Sequence, residues 1–167
     1  MRFEPLARAH ADCLSDALLD PAVYEFIPGP HPASTLELAE DFSRLSLGPP
    51  ADLQWMRWWN IGVFAAATGE GLGQLQATIV DDWAEVAYVF GSKHWGQGYA
   101  QEAMRWFHEQ LREDGAAWDL WAAVAPRNAR SVRLLERLGY RPVTEGWPEL
   151  GSYDAGDLVF RLPCREE

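Results

Sequence analysis

Residues Gly91 to Ala103 read GSKHWGQGYAQEA, and this stretch leaves the chain few folds to choose from. It follows Ala84 to Phe90, an apolar run rich in the β-branched and aromatic residues of a strand. It opens a segment in which Ala100, Ala103, Met104, Phe107 and Leu111 recur at helical spacing. Gln101, Glu102, Arg105, His108, Glu109 and Arg112 are assigned to the opposite, polar face. The predicted order is strand, glycine-rich turn, helix. Gly96 and Gly98 let a ligand approach the backbone, and the first N–H groups of the helix lack intrahelical acceptors. Those donors and the helix dipole favour an anion. The stretch reads as a phosphate or pyrophosphate cradle.

Two familiar nucleotide loops are close to this pattern and do not match it. A P-loop places Lys and then Ser or Thr after its second glycine, whereas Gly96 is followed by Gln97 and Gly98. The dinucleotide fingerprint wants a third small residue where Gln101 stands. The cradle is therefore expected to hold some other phosphorylated ligand.

At 167 residues, with 48% hydrophobic residues and nine tryptophans, the chain suits one domain over residues 1–167 with a substantial core. No apolar run is long enough to span a bilayer, and MRFEPLARAH lacks a signal-peptide core. A cytoplasmic protein with no membrane partner is expected. Cys13 and Cys164 lie near opposite ends and read as reduced thiols. His10, His31, His94 and His108 show no metal-ligand spacing, so no metal is assigned and surface or cleft positions are expected for them. The formal charge of −11, from 14 basic and 25 acidic residues, speaks against nucleic acid and favours a cationic partner such as an amine.

Along the chain, residues 2–6 suit a strand and Ala9 to Leu19 a helix stopped by Asp20-Pro21. Residues 28–33 carry three prolines and a glycine, a loop. Ser34 and Glu37 form a capping-box pattern before a helix with Leu38, Phe42 and Leu45 on one face, ended by Gly48-Pro49-Pro50. Trp59 to Ala66 and Leu72 to Val80 read as strands joined through Thr68 to Gly71. Asp81-Asp82 turns the chain into the strand before the cradle. After the central helix Gly115 is a stop, Asp119 to Ala125 a strand, and Asn128 the cap of a helix carrying Val132, Leu134, Leu135 and Leu138 and closed by Gly139. Arg141 to Thr144 and Gly156 to Leu162 suit two last strands.

These residues resemble the GNAT superfamily of acyl-CoA-dependent N-acyltransferases. Its Q/R-x-x-G-x-G/A signature reads Lys93-His94-Trp95-Gly96-Gln97-Gly98 here, with Lys93 in place of Gln or Arg. The continuation Tyr99-Ala100-Gln101-Glu102-Ala103 is similar to the branch that acetylates N-terminal amines of ribosomal proteins. So is the helix from Asn128-Ala129-Arg130-Ser131 to Leu138-Gly139-Tyr140. The resemblance covers residues 2–162. It implies an α+β (mixed α/β) domain with a twisted, mostly antiparallel sheet of six or seven strands, a splayed parallel central pair and flanking helices.

The same resemblance implies acetyl-CoA as cofactor. Backbone groups from Lys93 through His94, Trp95, Gly96, Gln97, Gly98, Tyr99 and Ala100 would hold its pyrophosphate. Tyr88, Val89 and Phe90 would bind pantetheine on one side and Asn128 on the other, with Arg130 or Arg133 at the 3′-phosphate. The attacking amine must be neutral, although an α-amine has a pKa of ~8 and a lysine ~10.4. Glu85 is assigned as its base, acting through water. An oxyanion would meet N–H donors near Val89 or Phe90. Many members protonate the thiolate with a tyrosine where this chain has Leu135, so that role falls to Ser131, as acid or as a group that positions the thiol. Trp55, Trp58, Trp59 and Trp83 are expected on the acceptor side, and Asp81 and Asp82 are candidates to attract the amine. The implied reaction is direct acetyl transfer to a primary amine, a protein N-terminus or a small amine. An aminoglycoside-type acetyltransferase and a non-catalytic acyl-CoA-binding module remain alternatives. Trp147 and Tyr153 are compatible with a homodimer.

Overall fold

The computed structural model describes residues 1–115 and 119–163; Cys164 lies outside them, and Cys13 is exposed. The strands are β1 (Arg2–Pro5), β2 (Met56–Phe64), β3 (Gly71–Val80), β4 (Trp83–Phe90), β5 (Asp119–Val124), β6 (Arg141–Val143) and β7 (Leu158–Leu162). The helices are α1 (Ala11–Leu18), α2 (Thr35–Ser46), α3 (Tyr99–Glu113) and α4 (Ala129–Arg137). The strands form one seven-stranded sheet in the order β1-β2-β3-β4-β5-β7-β6. Both outermost strands include a proline, Pro5 and Pro142.

Every neighbouring pair in this sheet is antiparallel except β4 and β5, which run parallel. Their contact is short: Trp83, Ala84 and Glu85 face Asp119, Leu120 and Trp121, and there the pairing stops. β4 meanwhile keeps its full register with β3, from Val80 opposite Trp83 to Gly73 opposite Phe90. The sheet is therefore open between β4 and β5 from Val86 onward.

Side-chain alternation sets the two faces. Leu75, Ala77 and Ile79 of β3, with Ala84 and Val86 of β4 and Leu120, Ala122 and Val124 of β5, pack against Ala103, Met104, Phe107 and Leu111 of α3 and Leu135 of α4. On the other face Leu6, Phe64 and Val89 meet Leu14, Ala17 and Leu18 of α1 and Leu38 and Phe42 of α2. A smaller cluster joins Trp121 and Val159 to Leu150, with Trp83 and Trp147 against it.

The structure differs from the sequence reading in a few places, each with a local reason. A single 3-10 turn, Arg8–His10, precedes α1, so the regular helix starts later than Ala9. The α2 cap is half of the expected box. Ser34 Oγ accepts from the Glu37 N–H at 3.2 Å, but Glu37 Oε2 accepts from the Ala33 N–H at 2.9 Å, one residue before the cap. β2 starts at Met56, because the hairpin continues until Met56 faces Val80; Trp58 and Trp59 are strand residues.

The largest difference is His108, which belongs to the core and not to the polar face of α3. It is 4% exposed, with Nε2 at 2.9 Å from the Tyr140 hydroxyl. Tyr140, just past the turn that closes α4, is equally buried, and burial raises its pKa. Burial, helped by the positive charge of Arg112, pushes His108 down from 6.5 to about 4.

The unfolded chain consequently takes up a proton between pH 6.5 and 4 that the folded chain refuses, so stability falls as pH drops through that window. The expected loss is about 3 kcal/mol, read from urea denaturation at pH 7 and pH 4. His108→Gln, which still bonds Tyr140 but does not titrate, should lack that component of the slope.

Candidate active site

A cleft of about 900 Å³ occupies the opening between β4 and β5. Val86 to Phe90 line it from β4, Ala122 to Val124 from β5, and Asn128, Ser131 and Leu135 from the cap and body of α4. Strands that part inside a sheet leave backbone N–H and C=O groups without ladder partners, and such groups need a ligand or water.

On the α3 side the wall is the glycine turn. Gly96 has φ 75° and Gly98 φ 86°, and a Cβ at either would meet nothing within 4 Å. Their requirement is thus the left-handed backbone itself. Gln97 Nε2 donates to the Lys93 carbonyl at 2.8 Å and Trp95 Nε1 to the Phe90 carbonyl at 2.8 Å, which pins the turn against β4. The first helical bond of α3 runs from the Glu102 N–H to the Gly98 carbonyl. The N–H groups of Tyr99, Ala100 and Gln101, on residues that line the cleft, have no helical acceptor. Arg130, Arg133 and Arg137 also line the cleft. Arg130 lies over the Trp95 ring, 3.5 Å from its centroid.

Of the predicted cradle residues, His94, Trp95, Gly96, Gly98, Tyr99 and Ala100 line the cleft, and Lys93 and Gln97 do not. The Lys93 ammonium turns away to Glu70 at 2.7 Å and Asp16 at 3.6 Å, and the Gln97 side chain is spent on the turn. His94 is buried and lines the cleft, one of the two placements expected of it. Its Nε2 has no hydrogen-bond partner among the described residues.

Tyr88 and Ser131 meet across the opening, hydroxyl to hydroxyl, at 2.6 Å. Asn128 Oδ1 accepts the Ser131 N–H at 3.2 Å, fixing the start of α4. Burial pushes the Tyr88 phenol up to about 12, opposed by its bond to Ser131.

Glu85, assigned as the base, is held in hydrogen bonds to the segment before β7. It is 7% exposed and lies outside the cleft lining. Its Oε2 accepts the Gly151 N–H at 2.8 Å, and its Oε1 accepts the Ser152 N–H at 3.0 Å and the Ser152 hydroxyl. Both oxygens are thus occupied in anchoring the segment before β7. Trp55, Trp58, Trp59 and Trp83 are likewise absent from the lining, as are Asp81 and Asp82. Trp55 is exposed, Trp59 packs on the main core, and Trp83 on the smaller cluster.

The far end of the cleft is built from residues that local sequence reasoning missed. Tyr24, Phe26 and Ile27 line the cleft there, as do Gln74 and Gln76 of β3 and Ser152, Tyr153, Asp154 and Asp157. Gln74 and Gln76 face the opposite way from Leu75 and Ala77, on the α1–α2 side of β3. Two glutamines at alternate positions of an otherwise apolar strand were the readable signal. Gln74 Oε1 is buried without a partner among the described residues. Asp20, which caps the turn leading to Tyr24, also accepts from the Ser92 hydroxyl. The two ends of the cleft are thereby tied.

Residues 1–141 match the family model for the acetyltransferase (GNAT) domain. The chain belongs to the GNAT family. It is an acyltransferase, with the mixed α+β fold of that family. Among solved structures, this GNAT chain superposes on a GNAT-family acetyltransferase from Bacillus anthracis with a TM-score of 0.77, at 15% identity, over 98% of this chain and 95% of the other. The ribosomal-protein-S5-alanine acetyltransferase of Vibrio fischeri gives 0.72 at 13% identity over 97% and 92%. The spermidine N-acetyltransferase of Vibrio cholerae gives 0.66 at 16% over 96% and 92%. In sequence, YkkB of Bacillus subtilis is 30% identical over 100 residues, 52% of this chain and 58% of that protein.

Glu85→Ala should release the Gly151–Ser152 segment. A stability loss of about 2 kcal/mol is expected in urea denaturation. Amide exchange at Gly151 and Ser152 should speed up by about tenfold or more, with the α3 amides unchanged.

Proposed function

We propose that this GNAT domain transfers an acetyl group from acetyl-CoA to a primary amine while both are bound. The observation that carries the reading is the opening between β4 and β5, with the pairing lost from Val86 onward and side chains of both charges in its lining. The residues present fit acetyl-CoA. The α3 N-terminal N–H groups and Arg130, Arg133 and Arg137 would hold its phosphates, and the free edges of Val86 to Val89 and of β5 would hold its amide-bearing arm. When bound, acetyl-CoA supplies an activated acyl thioester. N–H groups at Val89 or Phe90 would meet the charge developing on the carbonyl oxygen.

At the other end Tyr24, Phe26, Gln74 and Gln76 surround the incoming amine, and Asp154 and Asp157 favour a cation near the mouth. The amine nitrogen forms the C–N bond as the C–S bond breaks, and the proton it loses passes to water. Glu85, with both oxygens engaged, holds the acceptor wall. Ser131 stands where the sulfur departs. The acceptor is a protein N-terminus or a small amine. Two structural relatives, named for a ribosomal-protein alanine and for spermidine, bracket that range.

Calorimetric titration with acetyl-CoA tests the reading. Wild type should bind. Gly98→Ala, which bears only the left-handed backbone strain, should stay within about tenfold. Gly98→Asp, which adds an anion beside the phosphates, should lose about 100-fold or more. Absence of binding to wild type would overturn the assignment.

With the Glu85 carboxylate held by Gly151 and Ser152, the acceptor's own ionisation should set the pH profile. At subsaturating amine the initial rate should rise to a plateau near the acceptor's pKa, about 8 for an α-amine and about 10.4 for a lysine-like amine. A limb between pH 4 and 7, shared by acceptors of different pKa, would indicate a base on the enzyme.

A further inference from the structure

Ser131 and Tyr88 form a two-proton unit whose hydrogen-bond direction the surroundings decide. Besides Ser131 Oγ at 2.6 Å, the Tyr88 hydroxyl has one acceptor in reach among the described residues, the Ser131 carbonyl at 3.5 Å, which is at the limit of a hydrogen bond. Donation from Ser131 to Tyr88 would leave the buried phenolic proton with only that poor acceptor. Donation from Tyr88 to Ser131 satisfies the phenol and frees the serine proton. No other hydrogen bond engages Ser131 Oγ among the described residues, and both side chains line the cleft. One turn along α4, the lining is Leu135, buried and without a donor.

We propose that Tyr88 is a positioning residue for acyl transfer: its hydroxyl donates to Ser131 Oγ and so aims the Ser131 O–H at the sulfur of the bound coenzyme. This rests on the reading given under Proposed function. Tyr88 bridges from β4 to α4, so the strand that carries the acyl carbonyl also fixes the donor for the leaving sulfur. The phenol, pushed up to about 12 by burial, stays protonated and able to donate at neutral pH. The pair stabilises the departing thiolate by a hydrogen bond and surrenders no proton itself, which suffices for a thiol of pKa ~8.5.

The test compares calorimetric binding of CoA with that of desulfo-CoA, in which hydrogen replaces the thiol, by wild type, Tyr88→Phe, Ser131→Ala and the double variant. Wild type should prefer CoA by about tenfold. Each single variant should lose that preference while holding desulfo-CoA within about twofold of wild type. The double variant should be no worse than Ser131→Ala. Thermal melting checks that each variant is folded. Should Tyr88→Phe unfold, Ser131→Thr, which keeps the donor and its Tyr88 acceptor site, must retain the preference that Ser131→Ala loses. Retained preference in Tyr88→Phe, or equal weakening of both ligands, overturns the proposal. Wild type binding both ligands equally overturns it and leaves the acetyl-CoA assignment standing. Wild type binding neither removes both.

Discussion

The site depends on a failure of pairing. β4 and β5 share hydrogen bonds only around Trp83 to Glu85 and then part, although β4 remains fully registered to β3. Exposed backbone polar groups in the middle of a sheet are unfavourable unless something bonds them. The fold keeps them because the walls are held apart and tied at once. At the closed end Glu85 fastens the segment before β7. Across the opening, Tyr88 bonds Ser131 and Trp95 lies under Arg130. These links join the β4–turn–α3 unit to α4, and two strands that no longer touch each other keep a fixed separation.

Charge follows the same geometry. The chain carries a net charge of −11, yet the cleft lining holds both signs, with Arg130, Arg133 and Arg137 from α4 and Asp154 and Asp157 from the segment before β7. Such a lining can meet an anionic ligand and a cationic partner in one opening. Asp20 adds a mechanical counterpart, since it caps the turn before Tyr24 and also bonds Ser92 in the glycine turn.

The sequence made local features legible and left their distant partners hidden. The change from strand periodicity to helix periodicity around Gly91 to Ala103 was readable because it needs only neighbours along the chain, and so was the Asn128 cap. The parallel central pair came from resemblance, since periodicity does not say which strands are adjacent. His108 looked like a polar-face residue because its partner, Tyr140, is 32 positions away. Glu85 looked available because Gly151 and Ser152 are 66 and 67 positions away. The tryptophans drew notice as a cluster in sequence, but strand alternation and the β2–β3 register send them to different surroundings. Tyr24, Phe26 and Ile27 carry no pattern of their own; only the fold of the segment after α1 brings them to the cleft.

The two outer rims of the sheet behave unlike its interior opening. Pro5 in β1 and Pro142 in β6 have no N–H to offer, so each rim presents an interrupted ladder to any extended chain that approaches. A second copy seeking to lengthen the sheet from either side meets a missing donor. The opening at β4 carries no such interruption between Val86 and Phe90, but it lies inside the sheet, beside α3 and α4. The molecule has blunted the edges where growth of the sheet would lead to aggregation, and keeps an unblunted one enclosed within the sheet.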